Sequence, residues 1–237
     1  MTIIRRTRQF ILPVLFTALL AAAAWADTDP AAGVSGLAAR FTDRVVSVIA
    51  YRGGSVFRTG TGFFVDAGGT VATSAHVVHQ SGRIEIKTVA GDTIPMVSVS
   101  SRNMETDIAL LRTGLTDTTY IDPANPARPG TGDKIVVIGS PLGLENTVSD
   151  GIISAIRRFD DKGPFYQLTA PVSPGSSGSP VLTLNGRLAG IVTFQAVQGQ
   201  NLNFAVPAFR LEECLTAPPA GHIKIYKDKQ GIMVFED

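Results

Sequence analysis

The chain contains a single cysteine, Cys214, so no internal disulfide can form and the fold must rest on packing alone. Histidine is almost as scarce, at positions 76, 79 and 222. That leaves few candidates for a catalytic base, and His76 and His79, with no further His or Cys nearby, make a poor metal site. No metal and no cofactor is therefore expected. An excess of one charge is also missing. Against 20 acidic residues stand 21 Lys and Arg, with no dense basic run, so the electrostatic footprint of a nucleic-acid binder is absent and no nucleic acid is expected as a partner. The apolar run from Phe10 to Ala24 falls short of the roughly 20 residues that span a bilayer as a helix. There is no internal repeat and no low-complexity tract.

What the short apolar run does match is a secretory signal peptide. It follows Arg5, Arg6 and Arg8 and ends in Ala24-Trp25-Ala26, a charged start, a greasy middle and small residues at a cleavage site. Cleavage is expected after Ala26, making residues 1–26 the signal peptide and leaving no stable membrane insertion. The Arg5-Arg6 pair lacks the surroundings of a twin-arginine signal. Losing three arginines and no acid takes the formal charge from +1 to −2 and leaves 211 residues, enough for one two-lobed all-β unit or one ordinary domain with a real core. Export without disulfides points to a bacterial envelope protein, secreted to the periplasm.

From there the pattern is β throughout. Short stretches rich in Val, Ile, Thr and Phe, bounded by Gly, Asp, Asn and Pro, run over residues 44–52, 61–65, 70–74, 84–89, 108–112 and 134–139. Others cover 147–157, 165–169, 180–184, 188–194 and 203–206. So many short strands at this spacing predict sandwich or barrel packing rather than βαβ units. Residues 122–132, "DPANPARPGTG", read as a linker dividing the strands into two groups. Residues 27–40 are small and polar, a flexible lead-in. Pro207 followed by "AFRLEECL" predicts a short C-terminal helix with Ala208, Leu211, Cys214 and Leu215 on one side, which makes Cys214 a small buried hydrophobe rather than a reactive thiol. The tail from His222 alternates apolar and charged residues around Asp228 to Gly231, as a hairpin would.

The chemistry is concentrated in "PGSSGSP", residues 174–180. A serine hydroxyl is a weak nucleophile at its own pKa and needs a neighbouring base, an acid that orients the base, and backbone N–H donors for the oxyanion. Donors that must come so close to substrate favour glycine beside the serine. Ser177 has Gly175 two positions before it and Gly178 directly after it, whereas Ser173 and Ser176 lack that flanking and Ser179 precedes Pro180. Any one such serine is more simply a turn residue. His76, in "TSAHVV", ends an apolar stretch that would deliver it to a loop, although a packed histidine would look the same. His79 reads as surface and His222 as tail. Asp107, in "TDIALL", stands immediately before an apolar strand, where a carboxylate can be buried or can simply close a turn. The three fall in the order His, Asp, Ser. The opposite order of the α/β-hydrolases would require a histidine after the serine, and only His222 qualifies.

The stretches "GTGFFVDAGGTVATSAHVV", "TDIALLR", "RPGTGDKIVVIGSPLGLENTVSDGIISAIRR", "SPGSSGSPVL" and "LNFAVPA" together resemble the protease domain of the HtrA/DegP family of trypsin-like serine proteases. The likeness runs from about residue 41 to 212. It implies an all-β fold of two perpendicular six-stranded barrels, about 41–121 and 131–206, within a domain 41–215 followed by a tail 216–237. The active site would lie in the cleft between the barrels. By the same resemblance His76 is the general base, Asp107 fixes its tautomer, Ser177 is the nucleophile, and the N–H groups of Gly175 and Ser177 form the oxyanion hole.

The resemblance also implies that the segments 171–174 and 191–194 wall the primary pocket. Neither holds an acid, and Val172, Ile191, Val192, Thr193 and Phe194 suggest cleavage of extended polypeptides after small aliphatic residues. Two departures from the family are visible: Ser176 stands where relatives carry Asn or Asp, and Ser179 where they carry Gly. Only 22 residues follow Leu215, so a PDZ domain is not expected, and homo-oligomerisation is left open. A catalytically idle relative that binds unfolded envelope proteins has the same fold.

Overall fold

The computed structural model describes residues 33–95, 97–140, 147–159, 163–195 and 202–216, together with the strand backbones 224–227 and 233–236. Residues 1–32, which include the expected signal peptide, the residues between those segments and the tail residue His222 lie outside it.

Strands dominate. The first lobe contains β1 (Val45–Arg52), β2 (Ser55–Phe64), β3 (Thr70–Ser74), β4 (Arg83–Lys87), β5 (Thr93–Ile94), β6 (Ser98–Asn103) and β7 (Ile108–Arg112). They form one antiparallel sheet in the order β5-β4-β1-β2-β3-β7-β6. The second lobe is a closed barrel of β8 (Lys134–Gly139), β9 (Thr147–Arg158), β10 (Pro164–Leu168), β11 (Pro180–Thr183), β12 (Leu188–Gln195) and β13 (Asn203–Pro207), ordered β10-β13-β12-β11-β8-β9. The six-stranded barrel expected for residues 131–206 is thus closed. Its first-lobe counterpart has seven strands, and its end strands β5 and β6 are not paired with each other among the described residues.

The two extra strands carry almost no apolar pattern. β5 is two residues long, and β6, "SVSSRN", is polar enough to lie at an edge. β2 starts six residues before the expected Thr61, because Gly53 and Gly54, at φ 58° and 84°, reverse the chain and set Ser55 opposite Arg52 at once.

One apolar cluster fills each lobe and a third lies at the seam between them. Alternate residues of the same strands feed different clusters. Ala109 and Leu111 of β7 point into the first lobe, while Ile108 and Leu110 point to the seam. Ile135 and Val137 of β8 fill the barrel, and Val136 and Ile138 meet Phe63 and Ile108 across the seam. These strands are apolar on both faces because both faces are covered. The linker 122–132 is strapped down rather than loose: Ala127 N–H donates to Leu188 C=O at 2.7 Å, and Arg187 binds Asn125 and Pro126.

The structure differs from the expectation at both ends. Residues 34–40, read as flexible lead-in, belong to a helix α1 (Val34–Phe41) whose Leu37 and Phe41 are buried in the seam cluster, with Arg40 and Arg44 over the Phe41 ring. Two turns containing Ser and Gly carry little local helix signal, and docking decides the outcome. At the other end, a 3-10 turn (Ala208–Arg210) leads into a short helix, Leu211–Thr216, and together they bury Ala208, Leu211 and Cys214. Leu215, expected on the same side, is exposed. Burial pushes the Cys214 thiol pKa up, in keeping with an inert side chain. The tail backbone forms an antiparallel hairpin of β14 (Lys224–Lys227) and β15 (Met233–Glu236), with Lys224 opposite Glu236.

Candidate active site

His76 and Asp107 meet at the end of the first lobe. Strand β3 ends at Ser74, and a single helical turn (Ala75–Val78) carries His76 at its second residue. Asp107 directly precedes β7, which pairs with β3, so Ser74 lies opposite Ile108 and the histidine turn falls beside the aspartate. Ala75 N–H donates to the Asp107 carbonyl at 3.0 Å and His76 N–H to its Oδ1 at 2.8 Å. The His76 Nδ1 lies 2.8 Å from Asp107 Oδ2; facing a charged carboxylate it carries the proton, which leaves the lone pair on Nε2. Asp107 takes a φ of 55°, left-handed backbone for a non-glycine residue, which Asp tolerates better than most and which is concentrated at functional sites.

A third donor reaches the same carboxylate from the other lobe: the Thr193 hydroxyl, on β12, bonds Asp107 Oδ2. Burial alone would raise the Asp107 pKa. The hydrogen bonds from the His76 ring and N–H, the imidazole's charge and the Thr193 hydroxyl outweigh it, and the carboxyl is held below its ordinary value of 3.8.

Ser177 approaches from the second lobe on the turn before β11. Gly175 and Gly178 stand at φ 97° and 91°. A Cβ on Gly178 would lie 2.0 Å from the Thr61 carbonyl oxygen and 2.6 Å from the Thr73 hydroxyl, so only glycine lets the turn press against the first lobe. Gly178 N–H donates to Val192 C=O, which also accepts the Ser74 hydroxyl from the first lobe at 3.0 Å. Ser176 staples the turn, its N–H on Ser173 C=O at 2.8 Å and its Oγ accepting Ser173 N–H at 3.1 Å. The hydroxymethyl of Ser179 is accommodated because Gly139 leaves room: a Cβ there would lie 2.5 Å from Ser179 Oγ. Among the described residues Ser179 Oγ has no hydrogen-bond partner.

The Ser177 hydroxyl itself donates to Thr193 C=O at 3.0 Å, and no hydrogen bond to His76 is present among the described residues. Rotation about the serine's Cα–Cβ bond re-aims that proton without moving the backbone. Among the described residues neither Gly175 N–H nor Ser177 N–H is engaged by a backbone carbonyl.

Beside Ser177 opens a pocket of about 230 Å³ lined by Val172, Ser173, Pro174, Ser176, Ser177, Val192 and Thr193, with no acidic side chain. Ile191, expected in this wall, does not reach it. It is fully buried in the seam cluster, because the strand's alternation turns it to the face opposite its neighbour Val192. Thr193 lines the pocket but spends its hydroxyl on Asp107. Phe194 lies on β12, and its side chain is outside the described residues. A larger cavity of about 330 Å³ lies elsewhere on the first lobe, lined by residues that include Arg52, Gln80 and Arg102, and touches none of the three residues of the cluster. His79 is half-buried rather than fully surface-exposed, its Nδ1 without a hydrogen-bond partner among the described residues. Sequence reasoning missed the contributions of Ser74 and Thr193, since neither carries a motif of its own and each acts only across the lobe boundary.

Two lobes of antiparallel strands with a His-Asp pair on one and a serine turn on the other define a class of hydrolytic fold. The chain belongs to the trypsin-like peptidase family, whose domain description it matches over residues 60–191, more than half its length. Within that family its relatives are of the HtrA/DegP kind. It is 34% identical to mitochondrial serine protease HTRA2 of Bos taurus over 164 residues, 66% of this chain and 35% of that protein. It is 33% identical to a Chlamydia pneumoniae protein named "Probable periplasmic serine endoprotease DegP-like" over 160 residues, 63% of this chain and 32% of that one. The crystal structure of a serine endoprotease from Yersinia pestis superposes with a TM-score of 0.67 at 25% identity, covering 77% of this chain and 65% of that one. The chain thus spans about a third of the length of the curated relatives it matches.

Proposed function

We propose that this chain is a serine endopeptidase in which Ser177 is the nucleophile, His76 the general base and Asp107 the orienting acid. The observation that carries the reading is the doubly bonded Asp107–His76 pair, set by first-lobe strands against a second-lobe serine turn whose Gly175 and Ser177 N–H groups are left for substrate. His76 Nε2 takes the Ser177 proton as Oγ attacks the scissile carbonyl, and the two N–H groups receive the oxyanion. The imidazolium then hands its proton to the leaving amine. The pocket beside Ser177, with Val172 and Val192 in its wall and no carboxylate, suits a small aliphatic side chain and offers nothing to pair with Lys or Arg. Extended substrate would add to the backbone of residues 193–195, Val192 already spending its N–H on Ser179 C=O and its C=O on Gly178 N–H, and such pairing favours unfolded polypeptides. The signal-like residues 1–26 and the periplasmic designation of one relative support export to the periplasm.

The Ser177–Thr193 hydrogen bond favours one competing reading, an idle relative that binds polypeptides without cutting them. A fluorophosphonate probe on protein lacking residues 1–26 separates the two. Covalent labelling that disappears in Ser177→Ala is the expected result. Intact peptide binding with no labelling of the unaltered chain would establish the idle binder instead.

A further inference from the structure

The Gly60-Thr61-Gly62 stretch of β2 is built for close approach. A Cβ on Gly60 would lie 2.7 Å from the Val77 side chain and 3.0 Å from the Ser177 carbonyl oxygen, and one on Gly62 2.6 Å from Val71 and 3.0 Å from the Ala72 carbonyl. Flanked by these two glycines, Thr61 is fully buried and grips the nucleophile turn of the opposite lobe at two points. Its N–H donates to Ser177 C=O at 2.8 Å, and its hydroxyl donates to Gly175 C=O at 2.8 Å. Since a hydroxyl has one proton, what remains is an acceptor, and it takes Ser140 N–H at 3.1 Å. The Thr61 carbonyl in turn accepts the Thr73 hydroxyl at 2.6 Å.

We propose that Thr61 is a positioning residue for the oxyanion hole, fixing from the first lobe the plane of the peptide that joins Gly175 to Ser176. This rests on the peptidase reading above. Gly175, at φ 97°, occupies backbone that glycine enters and leaves at little cost, so its conformation has to be held from outside. One side of the following peptide is held by Ser176 N–H on Ser173 C=O at 2.8 Å, the other by the Thr61 hydroxyl. With the second bond gone, that peptide is tethered on one side only, and Gly175, the joint between it and the preceding peptide that carries the Gly175 N–H, is no longer locked, so this N–H loses its fixed aim. An oxyanion hole works through donors that are already aimed before charge develops, so a loosened donor costs transition-state binding and not substrate binding.

The test is Thr61→Val, which keeps the branched shape and the backbone grip on Ser177 and removes only the hydroxyl. Losing one whole oxyanion donor costs about 10² to 10³ in kcat, and loosening one is expected to cost about 10- to 100-fold, with KM within about twofold. Affinity for a peptidyl boronic acid should fall by the same factor as kcat/KM, and Thr61→Ser, which restores the hydroxyl, should recover most of both. Amide hydrogen exchange at Ser176 should quicken in Thr61→Val, while the β8 amides keep their protection. A Thr61→Val protein with unchanged kcat, a loss confined to KM, or a Thr61→Ser protein no better than Thr61→Val would overturn the assignment. If the unaltered chain neither cleaves peptides nor takes the fluorophosphonate label, the peptidase reading itself fails. The exchange measurement then decides the geometry alone, and unchanged Ser176 exchange in Thr61→Val rules it out.

Discussion

Ser177→Ala is expected to lower kcat by about 10⁶, to a residue left by binding and the oxyanion hole, with the fold intact. His76→Ala should lose about as much, and the double variant no more than either single one, because base and nucleophile act as one unit. Neither side chain supports a core. Ser177 is half-buried and its hydroxyl bonds only Thr193 C=O among the described residues, a carbonyl that cleft water can satisfy, and the His76 side chain is 40% exposed. The melting temperature should therefore move by no more than about 4 °C, the scale of a 1 kcal/mol change in a domain of this size. Steady-state and single-turnover kinetics on an unfolded polypeptide, with calorimetry alongside, measure both. Strictly multiplicative losses, or a series in which His79→Ala is silencing and His76→Ala harmless, would contradict the assignment.

Asp107→Asn should cost about 10⁴ in kcat, the size this change has in the Ser-His-Asp template, and the structure supplies the reason here. Oδ1 receives the His76 backbone N–H, which cannot rotate, while Oδ2 receives both the His76 ring N–H and the Thr193 hydroxyl. An asparagine must therefore place its NH₂ at the Oδ2 position. There it faces Nδ1, which can then only accept, so the proton moves to Nε2 and the imidazole can no longer take one from Ser177.

The same change has a signature in acid. Asp107 carries a pKa lowered from 3.8 in the folded chain. The charged form is thus favoured by folding, and its contribution is complete above the unfolded value and lost as pH falls through the folded one. The stability advantage of the native chain over Asp107→Asn should stay constant down to about pH 5 and shrink below 3.8. An advantage that grew in acid would mean that burial, not the His76 and Thr193 contacts, governs the carboxyl.

The local part of this architecture was legible from residues alone. Strands over 70–74, 108–112 and 134–139 agree with the observed bounds to the residue, since short apolar or β-branched runs bounded by Gly, Asp and Pro carry the strand signal locally. The second strand and the polar edge strands were legible only in part or not at all, because pairing rather than composition extends them. The helix over 34–41 escaped notice for the same kind of reason: Leu37 and Phe41 become a helix face only when the seam is there to receive them.

For the site, the sequence by itself determined which groups could do the chemistry: one histidine at a strand end, one aspartate before a strand, one serine with a glycine directly after it and another two positions before. It could not determine what those groups touch from the other lobe, because hydrogen bonds between residues 86 to 118 positions apart depend on how two lobes meet. Tertiary structure alone decided that Ile191 turns into the core while Val192 reaches the pocket, and that Thr193 and Thr61 reach across the seam to the carboxylate and to the serine turn. The physical cause is common to all four. Strand alternation sets the face a side chain occupies, and the packing of one lobe on the other sets what that face meets.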